Sequence, residues 1–94
     1  NVSQATIKTG NTMNFFDGEI FVTVNSGDVY DNLVSFTVGA PGLPIEHVVD
    51  VTVGYSLIYN NESIKYDVRV AAVKTNYWGT RSQPNIDFIV SKID

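Results

Sequence analysis

The segment that decides the fold reads VVDVTVGYSLIY over residues 48–59, NNES over residues 60–63 and IKYDVRVAAV over residues 64–73. Two runs of β-branched and aromatic residues flank a short polar turn, which is the pattern of a β-hairpin. In the second arm we expect Val68, Val70 and Ala72 to alternate with polar or small neighbours. Gly54 is expected to mark a bulge or bend in the first arm. Alternate residues of the first arm are expected to share one packed face: Val49, Val51, Val53, Tyr55 and Leu57.

The rest of the chain shows the same two-residue period and almost no helix signal. Strands are predicted over residues 19–24, 33–38 and 86–93, and turns or loops over residues 25–28, 39–44 and 76–84. The inward residues of these strands are predicted to be Ile20, Val22, Val24, Val34, Phe36, Val38, Phe88 and Val90. The sequence therefore predicts an all-β fold, an antiparallel β-sandwich or small barrel of about six strands.

The polar start of the chain differs from the strand-rich remainder. Residues 2–8 suit either a short polar strand or an arm, and residues 9–12 suit a turn. We expect residues 1–14 to form an N-terminal arm or the end of a neck, and residues 15–94 to form the β-sandwich head.

Composition excludes several functional classes. The chain has 94 residues, a net charge of −4 and six scattered basic residues, which argues against nucleic-acid binding. It has no cysteine and one histidine, so a thiolate or multi-histidine metal site cannot form within one chain. Short acidic turns such as residues 27–32 lack EF-hand spacing, and we expect no metal and no cofactor. No apolar run approaches about 20 residues, so we expect no membrane insertion.

Enzyme motifs are missing from the sequence. A serine hydrolase needs a Ser–His pair with an orienting acid, and no nucleophile elbow accompanies His47. The residue types present allow a pair of carboxylates for glycoside hydrolysis, although small β domains without a deep cleft rarely catalyse that reaction. We therefore expect a protein that is not an enzyme.

The loop at residues 76–84 holds the strongest binding candidates. Tyr77 and Trp78 offer an aromatic plate for the apolar C–H face of a sugar, and Arg81 offers a forked set of hydrogen-bond donors. The alternative is that Trp78 caps the core or packs against a neighbouring subunit. Packing is the more common use of a single tryptophan.

Three further residues complete the predicted saccharide site. His47 begins a strand and can hydrogen-bond a sugar hydroxyl, although an ordinary edge-strand role is the more common one. Arg69 lies on the polar face of its strand, where a solvated ion pair with Asp50 is the alternative to ligand contact. Asp50 is the expected hydrogen-bonding partner for sugar hydroxyls.

The order of these features resembles H-type lectin-like domains, which occur in invertebrate agglutinins and at bacteriophage tail tips. The family has a strand after Gly, an aromatic strand, a Pro-rich loop, a Val-rich strand, a basic strand turning into an aromatic, and a closing strand. The matching segments here are residues 18–22, 34–37, 41–44, 48–52, 68–78 and 88–93. The chain departs from the agglutinins in lacking cysteines and the Trp–His pair near their sugar site.

The resemblance implies a six-stranded antiparallel sandwich, usually trimeric, that binds sugars. In the resembled lectins a basic residue on the strand of Arg69 touches ligand, and Lys65 is the other candidate for that role. We expect the head of a phage receptor-binding protein at the virion tail tip or baseplate, an extracellular homotrimer that binds a host cell-surface saccharide. The alternatives are a structural assembly module of a virion or surface appendage, and a carbohydrate-binding module of a larger enzyme.

Overall fold

The computed structural model describes residues 1–75 and 79–93, and within them the chain forms β-strands and no helix. No helix in this part of the chain is long and apolar enough to cross a membrane. The strands are β1 (Val2–Lys8), β2 (Thr12–Phe15), β3 (Ile20–Asp28), β4 (Leu33–Gly39), β5 (Glu46–Thr52), β6 (Ser56–Asn61), β7 (Ile64–Lys74) and β8 (Asn85–Ile93).

The strands form two antiparallel sheets of four strands each, which confirms the all-β sandwich. Sheet I has the order β1-β8-β7-β6, and sheet II has the order β2-β3-β4-β5. The chain changes sheet twice, between β1 and β2 and between β5 and β6. The edge strands are therefore β1 and β6 in sheet I, and β2 and β5 in sheet II.

The core lies between the sheets and is built from the predicted alternation. In β3, Ile20, Val22 and Val24 are fully buried, and the predicted inward residues of β4 and β8 are buried as well. The rings of Phe36 and Phe88 meet edge to face across the core, with centroids 5.2 Å apart. Side chains of successive strand residues point to opposite faces, so one correctly assigned residue fixes the face of its neighbours as far as the next register shift.

The predicted hairpin forms between β6 and β7, but the prediction that residues 48–59 make up its first arm is wrong. The segment is divided between β5 in sheet II and β6 in sheet I. Gly54 has φ +98° between them, and its amide donates to the carbonyl of Val70, 2.8 Å away, in sheet I. The predicted packed face is confirmed for Val51 and Leu57, which pack against the core. It is wrong for Val49, Val53 and Tyr55, which are exposed, whereas Val48 is buried.

The strand count and two local predictions also change. Residues 1–75 and 79–93 form eight strands instead of about six, because residues 48–59 supply two strands and residues 12–15 add β2. Residues 25–28, predicted as a turn, continue β3 past a register shift between Val24 and Ser26. Residues 1–14, expected as an arm or neck, contain β1 paired with β8 and most of β2 paired with β3, so they lie within the sandwich.

Candidate functional site

A groove of about 520 Å³ opens at one end of the sandwich. It lies between the end of β3, the turn that follows β3, and the segment of residues 79–84 that precedes β8. Its lining residues are Gly27, Asp28, Tyr30, Arg81 and Ser82. The groove therefore joins a turn of sheet II to a loop of sheet I.

An arginine and a tyrosine from the two sides of the groove stack on each other. The guanidinium carbon of Arg81 lies 4.1 Å from the centroid of the Tyr30 ring, which is the geometry of a cation–π contact. Tyr30 is 67% exposed, so the stack leaves much of the ring open to solvent. The guanidinium of Arg81 forms no ion pair with residues 1–75 or 79–93. Its in-plane N–H groups are therefore available to a ligand.

A carboxylate stands beside this stack. Asp28 ends β3, and its Oδ1 accepts a hydrogen bond of 2.9 Å from the backbone amide of Tyr30. This local bond is typical of aspartate in a turn, and it orients the segment that carries Tyr30. The groove thus offers one forked cationic donor, one carboxylate acceptor and one aromatic surface.

Hydrogen bonds from the start of the chain hold the loop side of the groove. The carbonyl of Pro84 accepts from both the amide and the hydroxyl of Thr9, at 3.1 and 2.8 Å. Within the loop, the amide of Thr80 donates to the carbonyl of Gln83, and the amide of Gln83 donates to the hydroxyl of Thr80. These bonds make residues 80–83 a closed turn, which carries Arg81 toward Tyr30.

Close packing also joins the two sides. A Cβ atom added at Gly27 would lie 2.7 Å from Cγ of Pro84 and 3.3 Å from Cδ1 of Ile86. Such distances leave no room for a side chain at Gly27 without movement of the loop. The glycine therefore allows the end of β3 to approach the loop that carries Arg81.

Tyr77 and Trp78 lie outside the described residues. Of the three loop residues predicted to bind saccharide, Arg81 alone has a described position, and that position is in the groove.

His47 lies on a different surface, the outer face of sheet II. Its Nδ1 is 2.8 Å from the hydroxyl of Thr37, its register partner on β4. The same hydroxyl accepts a hydrogen bond of 2.8 Å from the side-chain amide of Asn25. Thr37 is buried beneath these two exposed side chains. The three residues form a polar network across β3, β4 and β5.

Asp50 lies on the same strand as His47, at a bulge. Its backbone has φ +52°, and its amide donates to the hydroxyl of Ser35 at 3.0 Å. The pairing of β4 with β5 shifts register between Val34 and Phe36, so one extra residue of β5 is accommodated here. Asp50 is exposed, and with His47 it offers polar groups on sheet II.

Arg69 is separated from these residues by the thickness of the sandwich. It is an exposed residue of β7, with Ser56 and Ile89 as its register partners in sheet I. The hypothesis of a cross-strand ion pair with Asp50 is wrong, because β5 and β7 belong to different sheets. The structure therefore distributes the described site residues among three surfaces. His47 and Asp50 share the outer face of sheet II, Arg69 lies on the outer face of sheet I, and Arg81 lies in the groove.

Sequence reasoning missed Tyr30 as a site residue. The available signal is an aromatic residue within the acidic turn of residues 27–32. Nothing in the local pattern connects that turn with Arg81, because the connection comes from the packing of two sheets. Among the described residues, no group of three or more His, Cys, Asp or Glu side chains is placed to hold a metal ion.

No family model, no curated protein and no solved structure matches this chain. The resemblance to lectin-like domains therefore stays an expectation from the sequence. The candidate site is defined by its own geometry.

Proposed function

We propose that this chain is a non-catalytic recognition domain that binds a saccharide in the groove between Tyr30 and Arg81. The stacked pair with Asp28 beside it is the observation that carries the proposal. A sugar has apolar C–H faces and a rim of hydroxyl groups. Its recognition needs an aromatic surface together with oriented donors and acceptors, and the groove offers all three.

The charges of the groove favour neutral hydroxyl groups over a strongly anionic ligand. Arg81 is its one cation among the described lining residues, and Asp28 places a negative charge in the same groove. The chain as a whole carries a net charge of −4, which also repels anions. A hydroxyl group can accept from the guanidinium and donate to the carboxylate, so a polyol matches both.

The groove is open and shallow, so we expect each copy to bind weakly. Attachment of several copies to one particle raises avidity by about 10²–10⁴ when several sites bind together. This supports the role expected from the lectin-like resemblance. In that role the chain is the head of a homotrimeric phage receptor-binding protein, at the tail tip or baseplate, bound to a saccharide of the host surface.

The test is binding of the purified chain to a glycan array and to isolated bacterial cell walls. For a saccharide that binds, Arg81→Ala and Tyr30→Ala should each raise the dissociation constant about tenfold or more, as for central binding residues. Tyr55→Ala is the matched control for Tyr30→Ala, because Tyr55 is exposed and lies outside the groove. This control should bind like the unmodified chain.

Two results would contradict the proposal. One is that a chain shown to be folded by its circular dichroism spectrum binds no saccharide and no cell wall. The other is saccharide binding that survives Arg81→Ala and Tyr30→Ala unchanged, which would move the site elsewhere on the molecule.

A structural assembly module is the second candidate, and exposed apolar residues on sheet I favour it. Val2, Ile58 and Ile93 are 71%, 46% and 40% exposed. A chain that binds no glycan but associates through these residues would have this second function.

A further inference from the structure

The outer face of sheet I contains a carboxylate oxygen that lacks a partner. The Oδ1 atom of Asp67 is buried from solvent, and no hydrogen bond reaches it from residues 1–75 or 79–93. Asp67 lies on β7, with Ile58 of β6 and Ser91 of β8 as its register partners. Buried polar atoms in folded proteins almost always have a partner. The Asp67 carboxylate also forms no ion pair within this part of the chain, so its other oxygen can accept from a group that the single chain does not supply.

Apolar side chains surround this carboxylate on the same face. Val2 pairs in register with Ser91, so Val2, Ser91, Asp67 and Ile58 form one row across the four strands of sheet I. Ile93 belongs to the neighbouring row, opposite Lys65. Exposed apolar residues on one sheet face commonly mark a protein interaction surface.

The same face supplies the complementary charge. Arg69 follows Asp67 by two residues on β7, so both side chains point outward. Arg69 is exposed and forms no ion pair within the described part of the chain. One surface therefore carries an acceptor without a donor and a forked donor without an acceptor. A surface of this kind is complementary to a second copy of itself.

We propose that the outer face of sheet I is the surface through which copies of this chain associate, with Arg69 of one copy donating to Asp67 of the next. The apolar side chains of Val2, Ile58 and Ile93 are buried in the same contact. The proposal does not depend on saccharide binding, because the groove and the outer face of sheet II remain free. A self-complementary face joins two copies about a two-fold axis, and the same measurement reads the number of copies.

The experiment measures the mass of the chain in solution by sedimentation across a range of concentrations. The unmodified chain should form an oligomer. Asp67→Arg and Arg69→Asp should each raise the dissociation constant roughly 30-fold or more, because each places like charges together in the contact. The double variant D67R/R69D should recover association, since the charges are exchanged and again complementary between copies.

A second pair of variants tests the face without changing Asp67. Ile58→Asp should dissociate the oligomer, whereas Val49→Asp should not. Val49 is 69% exposed, but β5 lies in sheet II, so this matched control makes the same kind of change on the other sheet. Circular dichroism confirms the fold of each variant.

The proposal is overturned if the unmodified chain sediments as a monomer at every concentration. It is also overturned if a folded Ile58→Asp or Asp67→Arg variant keeps the mass and affinity of the unmodified oligomer. Neither result bears on glycan binding, which is measured separately on the groove variants.

Discussion

The hydroxyl of Tyr66 on β7 donates a hydrogen bond to the carboxylate of Glu19, which immediately precedes β3 in the opposite sheet. The ammonium of Lys92 on β8 contacts both oxygens of the same carboxylate, at 2.9 and 3.1 Å. Tyr66 is fully buried, whereas the Glu19 side chain is 38% exposed. One carboxylate at the edge of the core therefore connects the two sheets.

Tyr66→Phe should destabilise the fold by about 1 kcal/mol, measured as the free energy of unfolding in urea. The substitution removes the hydroxyl donor but keeps the buried ring. The effect falls below the range of about 1.5–3 kcal/mol for a hydrogen bond to a charged group because water can reach Glu19. Tyr55→Phe is the matched control, since Tyr55 is exposed, and it should change stability little. Equal effects of the two variants would mean that the Tyr66 hydroxyl does not stabilise the fold.

The network should make the fold sensitive to acid. The hydrogen bond from Tyr66, and after it the contact with Lys92, lowers the pKa of Glu19 below 4.5. The folded state then holds the proton more weakly than the unfolded state. This stabilisation is present above pH 4.5 and is lost as the pH falls through the lowered pKa. Glu19→Gln should flatten that part of the curve of unfolding free energy against pH. An unchanged slope would show that Glu19 does not link folding to pH.

Alkaline conditions should weaken the fold through the other member of the pair. Burial, and after it the bond to Glu19, raises the pKa of Tyr66 from 10 to about 12. Tyr66 ionises at a lower pH in the unfolded chain than in the folded chain. The stabilisation from its hydroxyl is therefore fully present below pH 10 and is lost between pH 10 and about 12. The Tyr66→Phe variant should lose less stability over this interval when unfolding is followed in urea. A loss as steep as that of the unmodified chain would assign the effect to other tyrosines.

The turn between β6 and β7 should accept glycine at one of its two central positions. Asn61 pairs with Ile64, and the intervening Glu62 has φ +57°. This resembles a type II′ turn, in which the first central residue is preferably glycine. Glu62→Gly should raise the melting temperature, with a gain of about 0.5–1 kcal/mol. Ser63→Gly is the control and should not stabilise, because Ser63 is not among the residues with positive φ.

Gly27→Ala should disturb both stability and the groove. The added methyl group would overlap Cγ of Pro84, so either β3 or the loop that carries Arg81 must move. We expect a destabilisation of about 1–3 kcal/mol in urea and weaker binding of any saccharide that the groove holds. Ser26→Ala, at the neighbouring exposed residue, is the control and should leave both unchanged. A fully stable Gly27→Ala variant would contradict the close packing of Gly27 against Pro84.

The inward residues of β3, β4 and β8 were predictable from the rule that apolar side chains alternate along a strand. Polar residues of β4 and β8 are buried as well, so the rule identified the apolar core and not every buried residue. The rule failed over residues 48–59, because β-branched and aromatic residues suit a strand in either sheet. The bulge at Asp50 adds one residue to β5 and exchanges the faces beyond it, so Val49 is exposed although alternation placed it inside.

The sequence by itself determined that the chain folds into strands, that the core consists of valine, isoleucine and aromatic residues, and that a cysteine site is absent. These properties depend on residue type and on a period of two, which are local. The tertiary structure alone decided that the chain changes sheet at Gly54, that Tyr30 meets Arg81, and that Arg69 and Asp50 occupy opposite faces. Those relationships depend on how two sheets pack against each other, and contacts between residues far apart in the chain leave no local pattern.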